Sequence, residues 1–154
     1  LLVKLGQWKF KRAVLCVQKE VASRLAAAPG SSEYGRMSIF AQLHFDITPA
    51  LDVPRTSFHP VPNVDSAVIL LTPRRGSSKL PPNLEAVSAA LFSHRLASVA
   101  NALLHSRRLW GWDKAKAREV ARGVKYAQRK VLTLSPDEVS ELARALPPLP
   151  KRKV

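Results

Sequence analysis

A chain of 154 residues, 46% of them apolar, carries enough hydrophobic material for one or two small folded domains and does not read as a disordered tail. Its 25 Lys and Arg against 11 Asp and Glu give a formal charge of +14, the electrostatic footprint of a protein that neutralises nucleic-acid phosphates. The single cysteine, Cys16, excludes a disulfide within the chain, and no apolar run approaches the roughly eighteen residues that a membrane span needs.

The chain starts at Leu1 inside an apolar stretch, which predicts truncation or an upstream region. No secretory signal opens it, so a reducing, cytoplasmic setting is expected. Residues 1–5 read as the last turn of a helix stopped by Gly6. Residues 11–18 have a continuous apolar centre between charges, as in a strand buried on both faces of a parallel sheet. Cys16 is then expected to be a small buried hydrophobe. Residues 19–28 follow as a helix with Val21, Ala22 and Leu25 on one side, ended by Pro29 and Gly30. Residues 31–36 are a polar loop. Residues 37–46 fit helix or strand, with Ile39, Phe40 and Leu43 favouring helix.

Residues 47–53 and 64–72 read as strands. In the second, Ala67, Ile69 and Leu71 alternate with Ser66, Val68 and Leu70, so the two sets face opposite ways. The connection between the strands holds three prolines, and an antiparallel edge pair is the simplest arrangement. Residues 73–82 (Pro-Arg-Arg-Gly-Ser-Ser-Lys-Leu-Pro-Pro) read as a linker. Beyond it the pattern is helical. Asn83 is placed to cap a long helix whose Phe92, Leu96, Val99 and Leu103 recur at spacings of four, three and four. Asp113 caps a second helix with Ala117, Val120, Ala121 and Val124 inward. Ser135, Pro136, Asp137 and Glu138 form a capping box ahead of Val139, Leu142 and Leu146. The boundaries expected are a partial α/β domain at 1–72, a linker at 73–82, a helical RNA-binding domain at 83–150 and a basic tail at 151–154.

The segment most suggestive of chemistry is Phe58-His59-Pro60-Val61-Pro62-Asn63-Val64-Asp65-Ser66-Ala67-Val68. On residues alone, two roles stay open for Phe58. It plugs a core, the commoner fate of such a ring, or it is held by prolines at a sheet edge to stack on a base. The basic run of Arg107, Arg108, Lys114, Lys116, Arg118, Arg122, Lys125, Arg129 and Lys130 has only Asp113 and Glu119 to balance it between 107 and 130, which favours phosphate contact over a merely solvated face. His44, His59, His94 and His105 lack metal-ligand spacing, so no metal is expected. Trp8, Trp110 and Trp112 read as core or domain-junction residues.

Four motifs in order resemble the ribosomal RNA adenine dimethyltransferases (the KsgA-like family): the FxPxPxVDSAV string at 58–68, Val17-Gln18-Lys19-Glu20-Val21-Ala22 with Arg24, Pro29-Gly30-Ser31 with Tyr34-Gly35-Arg36-Met37-Ser38, and Phe92-Ser93-His94-Arg95 with Asn101-Ala102-Leu103. The resemblance implies the C-terminal half of a class I, Rossmann-like methyltransferase sheet followed by a small all-helical domain. It implies S-adenosylmethionine as methyl donor for the complete enzyme. The implied partner is small-subunit rRNA or the pre-small ribosomal subunit, with two adjacent adenosines near its 3′ end as target, met by a monomer and no membrane. Phe58, His59, Pro60, Pro62 and Asn63 would form the target-base pocket. Tyr34, Arg36, Arg95, Arg107, Arg108, Arg122, Lys125, Arg129 and Lys130 would contact RNA. The family's glycine-rich loop, its acidic ribose ligand and its Asn-x-Pro-Tyr tetrapeptide do not occur, so residues 1–154 alone are expected to hold neither cofactor nor catalytic residue. Where the family's helical motif continues with basic residues, this chain has Leu96, Ala97 and Ala100. A non-catalytic RNA- or DNA-binding member acting in ribosome assembly or transcription is the alternative.

Overall fold

Alternating apolar residues and a run of helix formers sort the chain into two units, residues 1–79 and 80–154. The structure is a computed structural model and describes residues 10–74, 80–148 and 150. The expectations for the helix end at 1–6, for Trp8 and for the basic tail lie outside the described residues.

In the first unit the strands are β1 (Ala13–Gln18), β2 (Phe45–Val53) and β3 (Ser66–Pro73), in the order β1-β3-β2 with both pairs antiparallel. Helices α1 (Lys19–Leu25) and α2 (Arg36–His44) follow β1 in the chain. The period-2 pattern of β3 does what alternation predicts: Ala67, Ile69 and Leu71 are buried with Ala22, Leu25, Ala41 and Phe45, while Ser66, Val68 and Leu70 are half-buried. Leu15 lies opposite Ile69, and Ala13 and Ile47 flank Leu71, so the same face continues across all three strands.

Two expectations for β1 are corrected here. It is not a doubly buried parallel strand but pairs antiparallel with β3, and Val14 is 68% exposed. Cys16, opposite Val68 on that same face, is exposed rather than buried. The run Ala-Val-Leu-Cys-Val is apolar at every position, so it carries no period from which one covered face can be told from two. The residues at 37–46 resolve to helix up to His44, and β2 begins at once with Phe45. A bulge at Ala50, beside Pro49, breaks the β2–β3 register where proline has no N–H to donate.

Small polar contacts fix the helices. The Ser38 hydroxyl donates to the Arg24 carbonyl (2.5 Å) and accepts the Gly35 N–H (3.1 Å). Gln42 Nε2 donates to the Leu25 and Ala27 carbonyls at 2.9 and 2.8 Å, satisfying acceptors that the end of α1 leaves open.

The second unit holds α3 (Leu84–Phe92), α4 (Val99–His105), α5 (Lys114–Gly123) and α6 (Pro136–Ala145) around Val87, Leu91, Val99, Leu103, Val131, Leu134, Val139 and Leu142, each at most 1% exposed. The expected long helix from 83 is two helices. Ser98 takes the Asn101 N–H on its hydroxyl, and the Val99 and Ala100 N–H groups donate to the Arg129 and Ala127 carbonyls, so a new helix starts there. Asn83 precedes α3, but its side chain caps nothing there and donates to the Leu146 carbonyl at 3.1 Å. The other starts follow the sequence: Asp113 accepts the Lys116 N–H at 2.7 Å, and Ser135 and Glu138 form a reciprocal capping box. Trp110 is buried and donates its indole N–H to the Pro147 carbonyl at 3.0 Å, with Trp112 stacked on it at 4.8 Å.

Candidate functional site

The proline-rich connection between β2 and β3 is built from its ends inward. Pro54 leads into one 3-10 turn, Arg55–Ser57, in which the Ser57 and Phe58 N–H groups donate to the Pro54 and Arg55 carbonyls. Phe58 then takes an extended conformation, and the His59–Pro60 peptide is cis. At the far end, the Asp65 carboxylate accepts the Arg55 N–H at 2.8 Å, and the Asp65 carbonyl accepts the Lys19 N–H at 3.0 Å. Lys19 Nζ meets Asp52 at 2.6 Å, so the first residue of α1 is tied to both strand ends. That bond, and then the Coulomb attraction of Asp52, hold the Lys19 ammonium above its ordinary pKa.

Phe58 is 38% exposed, which decides against the core-plug role. Its neighbours His59, Pro60, Val61, Asn63 and Val64 are exposed and Pro62 is half-buried. Beside the loop a cleft of about 450 Å³ opens between Gln18, Lys19, Glu20, Arg55, Asn63, Val64 and Asp65. Of the expected pocket residues only Asn63 lines this cleft; Phe58, His59, Pro60 and Pro62 stand outside its lining. Arg55 and Asp65 had no role assigned from the sequence. A polar residue opening a strand directly after a proline-stiffened loop is the signal that marks Asp65.

The expected RNA contacts divide. Tyr34 is fully buried, so its ring is corrected from RNA contact to the core, where an aromatic body of that size does most for packing. Arg36 is exposed at the start of α2. In the second unit, Lys125 and Arg129 are exposed, and each makes an ion pair within the unit. Lys125 donates to Glu141 at 2.8 Å, and Tyr126, in a left-handed conformation at φ 64°, donates its hydroxyl to the same carboxylate at 2.7 Å. Arg129 donates to Glu138 at 2.5 Å and to the Thr133 carbonyl at 2.7 Å. The hydrogen bond to Lys125, then that to Tyr126, holds the Glu141 carboxyl below its ordinary pKa.

Arg108, Lys114, Arg118, Arg122 and Lys130 are exposed and have no ion pair among the described residues. Three of them recur every fourth residue on α5, so they form one stripe, while Ala117 and Ala121 of the same helix are buried. Arg107 is half-buried and donates to the Leu104 carbonyl at 3.1 Å. Arg95 is half-buried beside exposed Leu96, in a second cleft of about 350 Å³ with Ser93, His94, Ala97 and His105. The His94 and His105 rings lie 4.8 Å apart.

Among the described residues, no three His, Cys, Asp or Glu side chains are grouped to hold a metal ion, and no helix is long and apolar enough to cross a membrane.

The chain is similar to proteins named for the methylation of ribosomal RNA. The family model for ribosomal RNA adenine dimethylase matches residues 2–133. A probable ribosomal RNA small subunit methyltransferase A from Methanopyrus kandleri is 40% identical over 139 residues, covering 87% of this chain and 50% of that protein. A ribosomal RNA small subunit methyltransferase A from Myxococcus xanthus is 40% identical over 142 residues, covering 90% of this chain and 50% of that protein. The crystal structure of a dimethyladenosine transferase from Plasmodium falciparum superposes with a TM-score of 0.75 at 25% identity, covering 91% of this chain and 59% of that one. The chain therefore spans about half the length of the curated relatives it matches.

Proposed function

The chain belongs to the ribosomal RNA adenine dimethylase family, and from that premise we propose that it is the substrate-facing part of an S-adenosylmethionine-dependent rRNA adenine N6-dimethyltransferase. Its targets are two adjacent adenosines near the 3′ end of small-subunit rRNA. The complete enzyme works as a cytoplasmic monomer on the pre-small ribosomal subunit. The observation that carries this reading is the exposed Phe58 ring at the end of a hydrogen-bonded turn.

An adenine inside an RNA stack cannot present its exocyclic N6 to a methyl donor, so the base has to leave the stack. Phe58 offers it a replacement stacking surface worth roughly 1–3 kcal/mol. Because Pro54, the Arg55–Ser57 turn and the Asp65 carboxylate fix the backbone, little ordering cost falls on binding. In the second unit, the like charges of Lys114, Arg118 and Arg122 at spacings of four repel one another along α5. Contact with RNA phosphates relieves that repulsion and releases counterions.

The methyl donor supplies an electrophilic carbon to N6. The residues present do not fit it: neither a glycine-rich loop nor an Asn-x-Pro-Tyr tetrapeptide occurs in residues 1–154. Cofactor binding and the acceptors for N6 belong in this reading to the rest of the enzyme, and residues 1–154 alone are inactive.

The test is transfer of labelled methyl groups from S-adenosylmethionine to small-subunit rRNA by the full-length protein and by residues 1–154. Methylation of adjacent adenosines by the first and none by the second is expected. RNA binding without any transfer by the full-length protein would instead support a non-catalytic family member. Phe58→Ala should lower kcat/KM by roughly 5- to 150-fold, the kinetic equivalent of the stacking energy, with cofactor affinity intact.

A further inference from the structure

Asp65 joins three segments. Its carboxylate takes the Arg55 N–H at 2.8 Å across ten residues of sequence, and its carbonyl takes the Lys19 N–H at 3.0 Å. One residue thus closes the loop that carries Phe58 and docks it on the start of α1. Arg55 and Asp65 both line the 450 Å³ cleft. The two cations of that cleft differ in what their charges are committed to. Lys19 is held by Asp52 at 2.6 Å. The exposed Arg55 guanidinium makes no ion pair or hydrogen bond with any described residue.

Arg55 is also coupled to Phe58, whose N–H donates to the Arg55 carbonyl at 3.3 Å. The exposed ring and the uncommitted guanidinium are therefore the two ends of a single turn. A guanidinium stays charged at any working pH and presents a planar fork of donors that matches a phosphate. An RNA base carries its phosphodiester on the same nucleotide, and a guanidinium on the same turn as the stacking ring suits that second group.

Resting on the reading of Phe58 as the target-base platform, we propose that Arg55 binds the RNA phosphodiester flanking the target adenosine, and that Asp65 is the positioning residue that holds Arg55 in place. The Asp65 role needs an acceptor oxygen, not a negative charge.

The test uses the full-length protein and a small-subunit rRNA hairpin with two adjacent adenosines, and measures Kd against salt concentration alongside single-turnover methyl transfer. Arg55→Ala should weaken binding about tenfold, as expected for loss of a charge-assisted hydrogen bond. It should also lower the salt slope by roughly 0.7, the value for one phosphate of a single strand. Arg55→Lys should keep the slope. Asp65→Asn, which retains the acceptor, should behave as wild type, whereas Asp65→Ala should reproduce the Arg55→Ala loss of affinity. Parental Kd and slope in Arg55→Ala overturn the phosphate contact, and an Asp65→Asn variant as weak as Arg55→Ala overturns the positioning role. If Asp65→Ala fails to fold, judged by circular dichroism, the Arg55 pair and Asp65→Asn still decide. Wild-type protein that binds the hairpin but methylates nothing sinks the enzymatic reading and leaves the Arg55 comparison standing.

Discussion

Lys125 and Arg129 spend their charges on Glu141 and Glu138, while Arg118, Arg122, Lys114 and Lys130 have no ion-pair partner among the described residues. Sequence alone puts all six in one basic run; only side-chain placement separates them. Replacing the four unpaired residues by Ala should flatten the salt dependence of rRNA binding by about 3, at somewhat under one unit per phosphate. Replacing Lys125 and Arg129 should leave that slope unchanged and lower thermal stability instead, measured by melting. His44 makes a second residue-scale prediction. Its Nδ1 is buried without a hydrogen-bond partner among the described residues, and burial lowers its pKa from 6.5. The unfolded chain then binds the proton first as pH falls. Stability contributed by neutral His44 is present above about pH 6.5 and is lost as the pH drops from there toward the lower folded value. The difference in Tm between pH 7.5 and pH 5.5 should be smaller in His44→Gln than in the parent.

At the scale of elements, two of the three expected caps were legible, Asn83 being the exception, and helix continuity was not. Asp113 and Ser135 start α5 and α6 as their sequences predict, because an N-cap needs only local geometry. Ser135→Ala removes an acceptor for the Glu138 N–H and should cost about 1 kcal/mol, seen as a shift in the denaturation midpoint. The break between α3 and α4 was not legible, since Leu96 continues the helical period yet is 70% exposed. What ends the period is distant: carbonyls of Ala127 and Arg129 take the N–H groups that start α4. The loop of Phe58 lies between these cases. Its prolines and its position before β3 were readable, but the closure by Asp65 depends on a contact across ten residues.

For the whole molecule, the second unit has a core of its own, with Leu91, Leu103, Leu134 and Leu142 fully or almost fully buried within it. Residues 80–154 expressed alone should show helical circular dichroism and a cooperative melt; a non-cooperative transition would count against an independent unit. Composition, motif order and strand alternation were enough to determine an α/β unit, a helical unit and family membership, and to predict a nucleic-acid partner, because charge excess and hydrophobic period are properties of the chain itself. The tertiary structure alone decided that β1 is antiparallel and half-exposed, that Tyr34 belongs to the core, and that, among the described residues, Lys125 and Arg129 are paired while Arg55 is not. Those outcomes depend on which groups meet across long separations in sequence. A run with apolar residues at every position, or charges throughout, holds no period that encodes them.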